Sequence, residues 1–249
     1  MSQISGHADN HKAEKGFIPS SQWGSCELAS TELIEKNLLE IKNKIAPCKP
    51  RIIGVTKYYG TEAIVNGYEA GIRDFAESRA IDAIEKIKSL PQEIRDKSEF
   101  HFIGHLQTNK AERVVQYFDY IHSVDSLKLA NVISDKACQL NKREKILLQA
   151  NLSGEEQKFG YAKEALKSDF NKIIKLEGLK VIGLMCMAPF DASDEELRVL
   201  FRNLREFKTE LEGEFNVELP ELSMGMSNDY EIAVGEGATM IRIGRKLFK

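Results

Sequence analysis

Lys57 closes the apolar run Ile52-Ile53-Gly54-Val55-Thr56-Lys57, where a lysine is chemically conspicuous. Long charged side chains are rarely buried without a partner, and the C-terminal end of a strand in an α/β protein is where such folds bind ligands. A desolvated lysine loses its proton readily and becomes an amine nucleophile able to form a Schiff base with an aldehyde. The competing reading is structural: the stem lies along the strand end and the ammonium reaches solvent.

Two further positions have the chemistry to hold an anion. Ser227 precedes an expected helix over 228–235, where its hydroxyl would cap the helix and free N–H groups would attract a phosphate. Gly244 follows the last apolar run, and a glycine there lets a phosphate approach the backbone. Ordinary turn chemistry would also place a serine N-cap and a positive-φ glycine at such points. Arg242, in Met240-Ile241-Arg242-Ile243-Gly244, falls on the face opposite Ile241 and Ile243, so it needs either a carboxylate or a ligand acceptor. His105 is a candidate general base or a hydrogen-bonded rim histidine. His101 and His122 have no evident chemical neighbour, His7 and His11 lack a scaffold for a metal, and Glu155 and Glu156 read as a solvated loop.

These residues need elements to position them. Residues 1–22 are polar and without an apolar period, which predicts a disordered extension ahead of a single domain over 23–249. Leu28, Leu33, Ile34, Leu38, Leu39, Ile41 and Ile45 recur at helical spacing, and Pro47 and Pro50 end that helix. Short apolar runs then mark strands over 51–56, 72–76, 100–103, 119–123, 145–151, 179–184, 220–223 and 239–243. Amphipathic stretches mark helices over 61–70, 79–89, 108–117, 126–140, 162–175, 194–213 and 228–235. This alternation predicts an α/β fold, a single (β/α)8 TIM-type barrel with an additional N-terminal helix. A doubly wound open sheet is the alternative, but that many strands without a composition break favour closure. In a barrel, the loops after strands seven and eight are frequent phosphate sites, and Ser227 and Gly244 sit there.

The 249 residues carry a formal net charge of −3 with both signs interspersed, which argues against nucleic-acid or membrane-surface binding. Cys26, Cys48, Cys138 and Cys186 are far apart and fit neither a zinc site nor a disulfide framework, so a reducing cytoplasm is expected. No apolar stretch approaches the length of a membrane helix.

Six stretches in order make the reading specific: Ile53-Gly54-Val55-Thr56-Lys57, His101 to Lys110 (HFIGHLQTNK), Leu148 to Gly160 (LQANLSGEEQKFG), Gly183-Leu184-Met185, Leu222 to Ser227 (LSMGMS) and Thr239 to Gly244 (TMIRIG). Together they resemble the pyridoxal phosphate homeostasis protein family, also called the YggS/PROSC family, whose fold is similar to the alanine racemase N-terminal domain. The resemblance spans roughly residues 27 to 248. It implies a pyridoxal 5'-phosphate (PLP) cofactor held as a Schiff base on Lys57. Ser227 and the backbone of Gly244 and Arg245 would hold the phosphate, Arg242 would face the pyridine nitrogen, and Ser78 and Met226 would complete the cofactor-binding set. Two departures stand out: Ala76-Glu77-Ser78 replaces the usual Gly-Glu-Asn, and Arg245 replaces the usual threonine.

The implied function is intracellular PLP (vitamin B6) homeostasis, buffering or delivering the cofactor without robust catalysis, with PLP and apo PLP-dependent enzymes as partners and a monomeric state. An arginine at the pyridine nitrogen cannot accept a proton and would weaken the cofactor as an electron sink. Racemisation also needs a proton-transfer group on each face, and the related racemases take the second from a C-terminal β domain that does not follow Lys249 in this sequence. The alternatives are a PLP-dependent amino-acid racemase or lyase of weak activity and, outside PLP chemistry, a Schiff-base aldolase acting on a sugar phosphate.

Overall fold

Eight parallel strands close on themselves in sequence order, each hydrogen-bonded to the next and the last to the first. The computed structural model describes residues 28–152, 159–189 and 191–249. The strands are β1 (Arg51–Val55), β2 (Asp74–Glu77), β3 (Glu99–Phe102), β4 (Tyr120–Val124), β5 (Glu144–Gln149), β6 (Leu179–Met185), β7 (Glu221–Met226) and β8 (Met240–Ile243). The expected TIM-type barrel is therefore present, and the open sheet is excluded. The expected extension over 1–22, its boundary with the domain, His7, His11, and the loop of Glu155 and Glu156 lie outside the described residues.

The helices are α1 (Thr31–Lys44), α2 (Thr61–Glu69), α3 (Ala80–Ser89), α4 (Gln92–Lys97), α5 (Ala111–Tyr117), α6 (Leu127–Gln139), α7 (Lys163–Ile173), α8 (Asp194–Phe215), α9 (Tyr230–Gly235) and α10 (Arg245–Phe248). Their starts and stops are chemical. Ser30 and Ser126 accept hydrogen bonds from the first turns of α1 and α6. The helix α8 opens with a Ser193/Glu196 capping box and closes at Asn216 in the left-handed conformation. On α8 the buried residues Leu197, Leu200, Phe201, Leu204, Phe207 and Leu211 recur at three and four, the stripe that lies on the sheet.

Strand alternation separates two cores. One face of the strands, with Ile241 and Ile243 among it, packs under the helices in a large outer core. The other points into the barrel, where Ile53, Ala76, Tyr120, Leu147, Ile182, Met185 and Met240 form a smaller apolar cluster. Close approach demands glycine at two strand positions. A methyl at Gly183 would overlap the Glu221 carbonyl on β7, and one at Gly54 would lie 3.0 Å from the Phe248 ring. Phe248 belongs to α10, which is tied back to the entrance of α1 by an Ala29 N–H···O=C Phe248 bond of 3.1 Å and an Asn37 amide bond to the Leu247 carbonyl of 3.1 Å.

Four expectations are corrected. Helices α4 and α10 are absent from the expected set: each is short, and α4 has a single buried residue, Ile94. The helix expected over 108–117 begins with a tight 3-10 turn, Thr108–Lys110. The helix expected over 228–235 starts at Tyr230, with Asp229 rather than Ser227 at its N-cap position. Among the described residues no helix is long and apolar enough to cross a membrane.

Candidate functional site

The expected residues converge at one end of the barrel. Lys57 lies just past β1, Ser78 follows β2, Met226 ends β7 with Ser227 after it, and Gly244 and Arg245 follow β8, so they sit at the ends of four consecutive strands of the ring. Register brings them level: Val55 pairs with Ala76, Gly54 with Ile243, and Met226 with Arg242. This is the C-terminal mouth, where (β/α)8 proteins bind and react.

Among the described residues, the mouth is rich in donors without a partner. Lys57 is partly exposed, and its Nζ lies 5.1 Å from the centre of the Tyr58 ring; no described carboxylate pairs with it. Ser227 is 9% exposed, and its hydroxyl makes no hydrogen bond to a described residue. The backbone N–H groups of Ser227, Asn228 and Gly244 likewise find no described acceptor. Arg245 opens α10, where the first N–H groups have no intrahelical partner, and its exposed guanidinium meets no described carboxylate. Around Ser227 the chain is shaped by Asp229, whose carboxylate accepts the Met226 N–H while its own N–H bonds the Met226 carbonyl at 3.2 Å. Burial pushes the Asp229 carboxyl up, against the opposing pull of the Met226 N–H and Arg242. Gly244 has φ −107, so positive φ does not explain it; a Cβ there would meet the Val55 carbonyl at 3.4 Å and fill space beside β1. The left-handed glycine of this region is Gly225, with φ +89.

Beneath Lys57 lies a buried clamp that no sequence motif signals. Thr56 Oγ1 donates to Glu77 Oε1 at 2.8 Å, and Lys86 Nζ donates to the same oxygen at 2.9 Å and to the Thr56 carbonyl at 3.1 Å. Burial pushes the Glu77 carboxyl up and Lys86 opposes it. The residue before Lys57 is thus held at both its side chain and its carbonyl. Next to it, Gly104 packs so closely on Ser78 that any side chain would strike the Ser78 carbonyl.

Arg242 points inward, as expected from alternation, and is 4% exposed. Its partners are neutral: Nη1 donates to Ser223 Oγ at 2.6 Å and Nη2 to the Cys186 carbonyl at 2.9 Å. Burial pulls its pKa down, and Cys186 and Asp229 offset this in part. His105 stays at the rim, with Nδ1 3.4 Å from Asp125 Oδ2 and its ring stacked on Phe159 at 4.0 Å. His101 and His122, without evident neighbours in the sequence, lie fully buried inside the barrel and hydrogen-bond each other at 2.9 Å. Their inward positions follow from strand parity, two residues after Glu99 and Tyr120 on β3 and β4.

Residues 30–249 match the family described as alanine racemase, N-terminal domain. The chain is 44% identical over 204 residues to the pyridoxal phosphate homeostasis protein of Synechocystis sp., covering 81% of this chain and 92% of that protein. It is 40% identical over 199 residues to the Aquifex aeolicus protein of the same name, covering 80% and 86%. This chain belongs to the pyridoxal phosphate homeostasis protein family. PipY of Synechococcus elongatus, solved with PLP bound, superposes with a TM-score of 0.79 at 36% identity, covering 87% of this chain and all of PipY. Alanine racemase of Clostridium difficile shares the fold at 20% identity and a TM-score of 0.70, covering 87% of this chain and 56% of the racemase. Membership in the homeostasis family agrees with a barrel whose mouth gathers an amine, a hydroxyl and unspent N–H groups.

Proposed function

We propose that this chain binds PLP at the C-terminal mouth, holds it reversibly on Lys57, and buffers or delivers it in the cytoplasm without robust catalysis. The observation that carries the reading is the set of donors at the ends of β7, β8 and β1 that have no described partner, matched to the needs of a phosphorylated aldehyde; the similar protein PipY was solved with PLP. When bound, PLP supplies an aldehyde that condenses with a lysine amine with loss of water, and a phosphate group. Ser227, the N–H groups of Gly244 and Arg245, and the Arg245 guanidinium would hold the phosphate end. Lys57 presents its amine above the Thr56–Glu77–Lys86 clamp. Ser78 and Met226 would line the site from the ends of β2 and β7.

Arg242 sets the limit on chemistry. A guanidinium has no acceptor and does not give up its proton, so at the ring nitrogen it can only donate. That favours carriage of the cofactor over proton-transfer chemistry, and it fits relatives named for homeostasis. Apo PLP-dependent enzymes are the expected recipients, and the carrier acts as a monomer.

The test is an absorbance titration of the purified protein with PLP, followed by borohydride reduction and peptide mapping. A new visible band and a reduced adduct on Lys57 are expected. No band, or an adduct on another lysine, overturns the reading. Turnover of an amino acid at ordinary enzyme rates of about 1 s⁻¹ or more would replace the carrier with a racemase or lyase.

A further inference from the structure

Arg242 is the upper end of a continuous polar chain through the barrel core. Arg242 Nη1 reaches Ser223 Oγ at 2.6 Å; Ser223 Oγ lies 2.9 Å from His122 Nδ1; His122 Nε2 lies 2.9 Å from His101 Nδ1; and His101 Nε2 lies 3.0 Å from Asp74 Oδ1. Arg242, Ser223, His122 and His101 are buried, and the chain crosses β8, β7, β4, β3 and β2.

The two ends determine every hydrogen between them. Asp74 as a carboxylate only accepts, so His101 donates from Nε2 and, being neutral, accepts at Nδ1. His122 then donates from Nε2 and accepts at Nδ1 from the Ser223 hydroxyl. Ser223 has spent its hydrogen and offers a lone pair to Arg242, which only donates. The assignment made from the bottom arrives at Ser223 in the state that the top requires. Full burial favours the neutral imidazoles: it is the largest cause lowering both histidines, with His101 and Arg242 adding to the effect at His122 and Asp74 opposing it at His101. The Tyr120 ring, stacked 4.3 Å from His101 at 9°, keeps that imidazole from turning.

We propose that His122 and His101 are positioning residues that, through the hydroxyl of Ser223, hold Arg242 as a fixed donor at the mouth. Reversing either imidazole would set lone pair against lone pair, at His122 Nε2 and His101 Nδ1 or at His101 Nε2 and Asp74 Oδ1. This rests on the reading that Arg242 faces the ring nitrogen of bound PLP.

The chain is tested first without cofactor. Nitrogen-15 NMR of the histidines at neutral pH should show both His101 and His122 neutral, protonated at Nε2 and bare at Nδ1. A proton on Nδ1 of either ring, or an imidazolium, overturns the one-way chain whether or not PLP binds. The link to the site is then read with PLP. His122→Phe breaks the chain and should shift the bound cofactor's absorbance maximum and weaken its affinity about tenfold. His122→Gln offers an acceptor and a donor in the same order and should restore both to within about threefold. Should His122→Phe fail to fold, Ser223→Ala gives the same readout beside Arg242. Loss of stability with unchanged affinity and spectrum in the folded variants would leave the histidines as packing and overturn the positioning role. A wild-type protein that binds no PLP would defeat the carrier reading, while the proton positions seen by NMR would still decide the chain.

Discussion

The two ends of this barrel use similar side chains for opposite purposes. At the floor, Arg51 donates to Asp74 at 3.1 Å, to Tyr120 at 2.9 Å and to Glu99, while Lys145 reaches Tyr120 at 2.9 Å and Glu99 at 3.3 Å. Every charge there has an opposite within reach. Burial opposes ionisation of Arg51, but Asp74, Tyr120 and Glu99 overcome it and raise the guanidinium's pKa. At the mouth, Lys57, Ser227 and Arg245 meet no such partners among the described residues. A buried donor such as the Ser227 hydroxyl is costly to leave unmatched, and partly exposed cations gathered beside it leave the mouth open to an anionic ligand, whereas a saturated cluster marks structure. The Asp74, Glu99 and His101 side chains that converge on the floor have a metal-like spacing, but Arg51 and Lys145 already supply their cations.

That contrast can be broken from either end. Lys57→Ala should abolish the reducible adduct entirely and leave the thermal midpoint unchanged, because no described partner loses a bond; mass spectrometry after borohydride reduction and a melting curve measure the two. A large drop in the melting point would mean that Lys57 is structural after all. Arg51→Met should do the reverse, costing about 2–3 kcal/mol of stability by stranding Asp74 and Glu99 while PLP labelling proceeds, as denaturant titration beside the same mass assay would show.

A smaller effect is expected behind the floor at Glu144. Burial pushes its carboxyl up to about 7 from an ordinary 4.5, against the pull of Lys142 Nζ at 2.7 Å. The folded state holds this proton more tightly than the unfolded chain, so the protein should lose stability as pH rises from 4.5 to about 7 and then level off. Glu144→Gln should flatten that slope and stabilise the neutral-pH protein by about 1–2 kcal/mol, seen as denaturant midpoints compared across the range. The smallest effect belongs to Arg245→Ala, where an exposed charge is screened: affinity for PLP should fall about two- to threefold at low salt and the difference should vanish at about 1 M salt.

Much of this molecule is legible as pattern. Apolar runs with alternating partners disclose each strand, and the parity of Met240 to Gly244 is enough to put Arg242 inside the barrel. What stays hidden depends on closure. Ser223 and His122 meet only because β4 and β7 face each other across the barrel, and nothing local in either strand announces the other. The Thr56–Glu77–Lys86 clamp joins a strand end to the middle of α3, where Lys86 reads as an ordinary surface lysine. Ser227 reads as a helix cap since serine is a common cap residue, whereas the turn held by Asp229 delays the helix by two residues. Helix α10 escapes because four residues hold too few turns for a period to show.

That last helix has a practical bearing on handling the protein. Its first residue is Arg245 at the mouth, and its last, Phe248, presses on Gly54 in the strand that leads to Lys57. The Lys249 N–H is bonded to the Arg245 carbonyl at 3.2 Å, so a purification tag or fused domain joined at Lys249 is attached to the same turn that offers its N–H groups to the ligand. Tag placement is therefore a variable in every binding measurement, and an N-terminal or cleaved tag is the proper reference state.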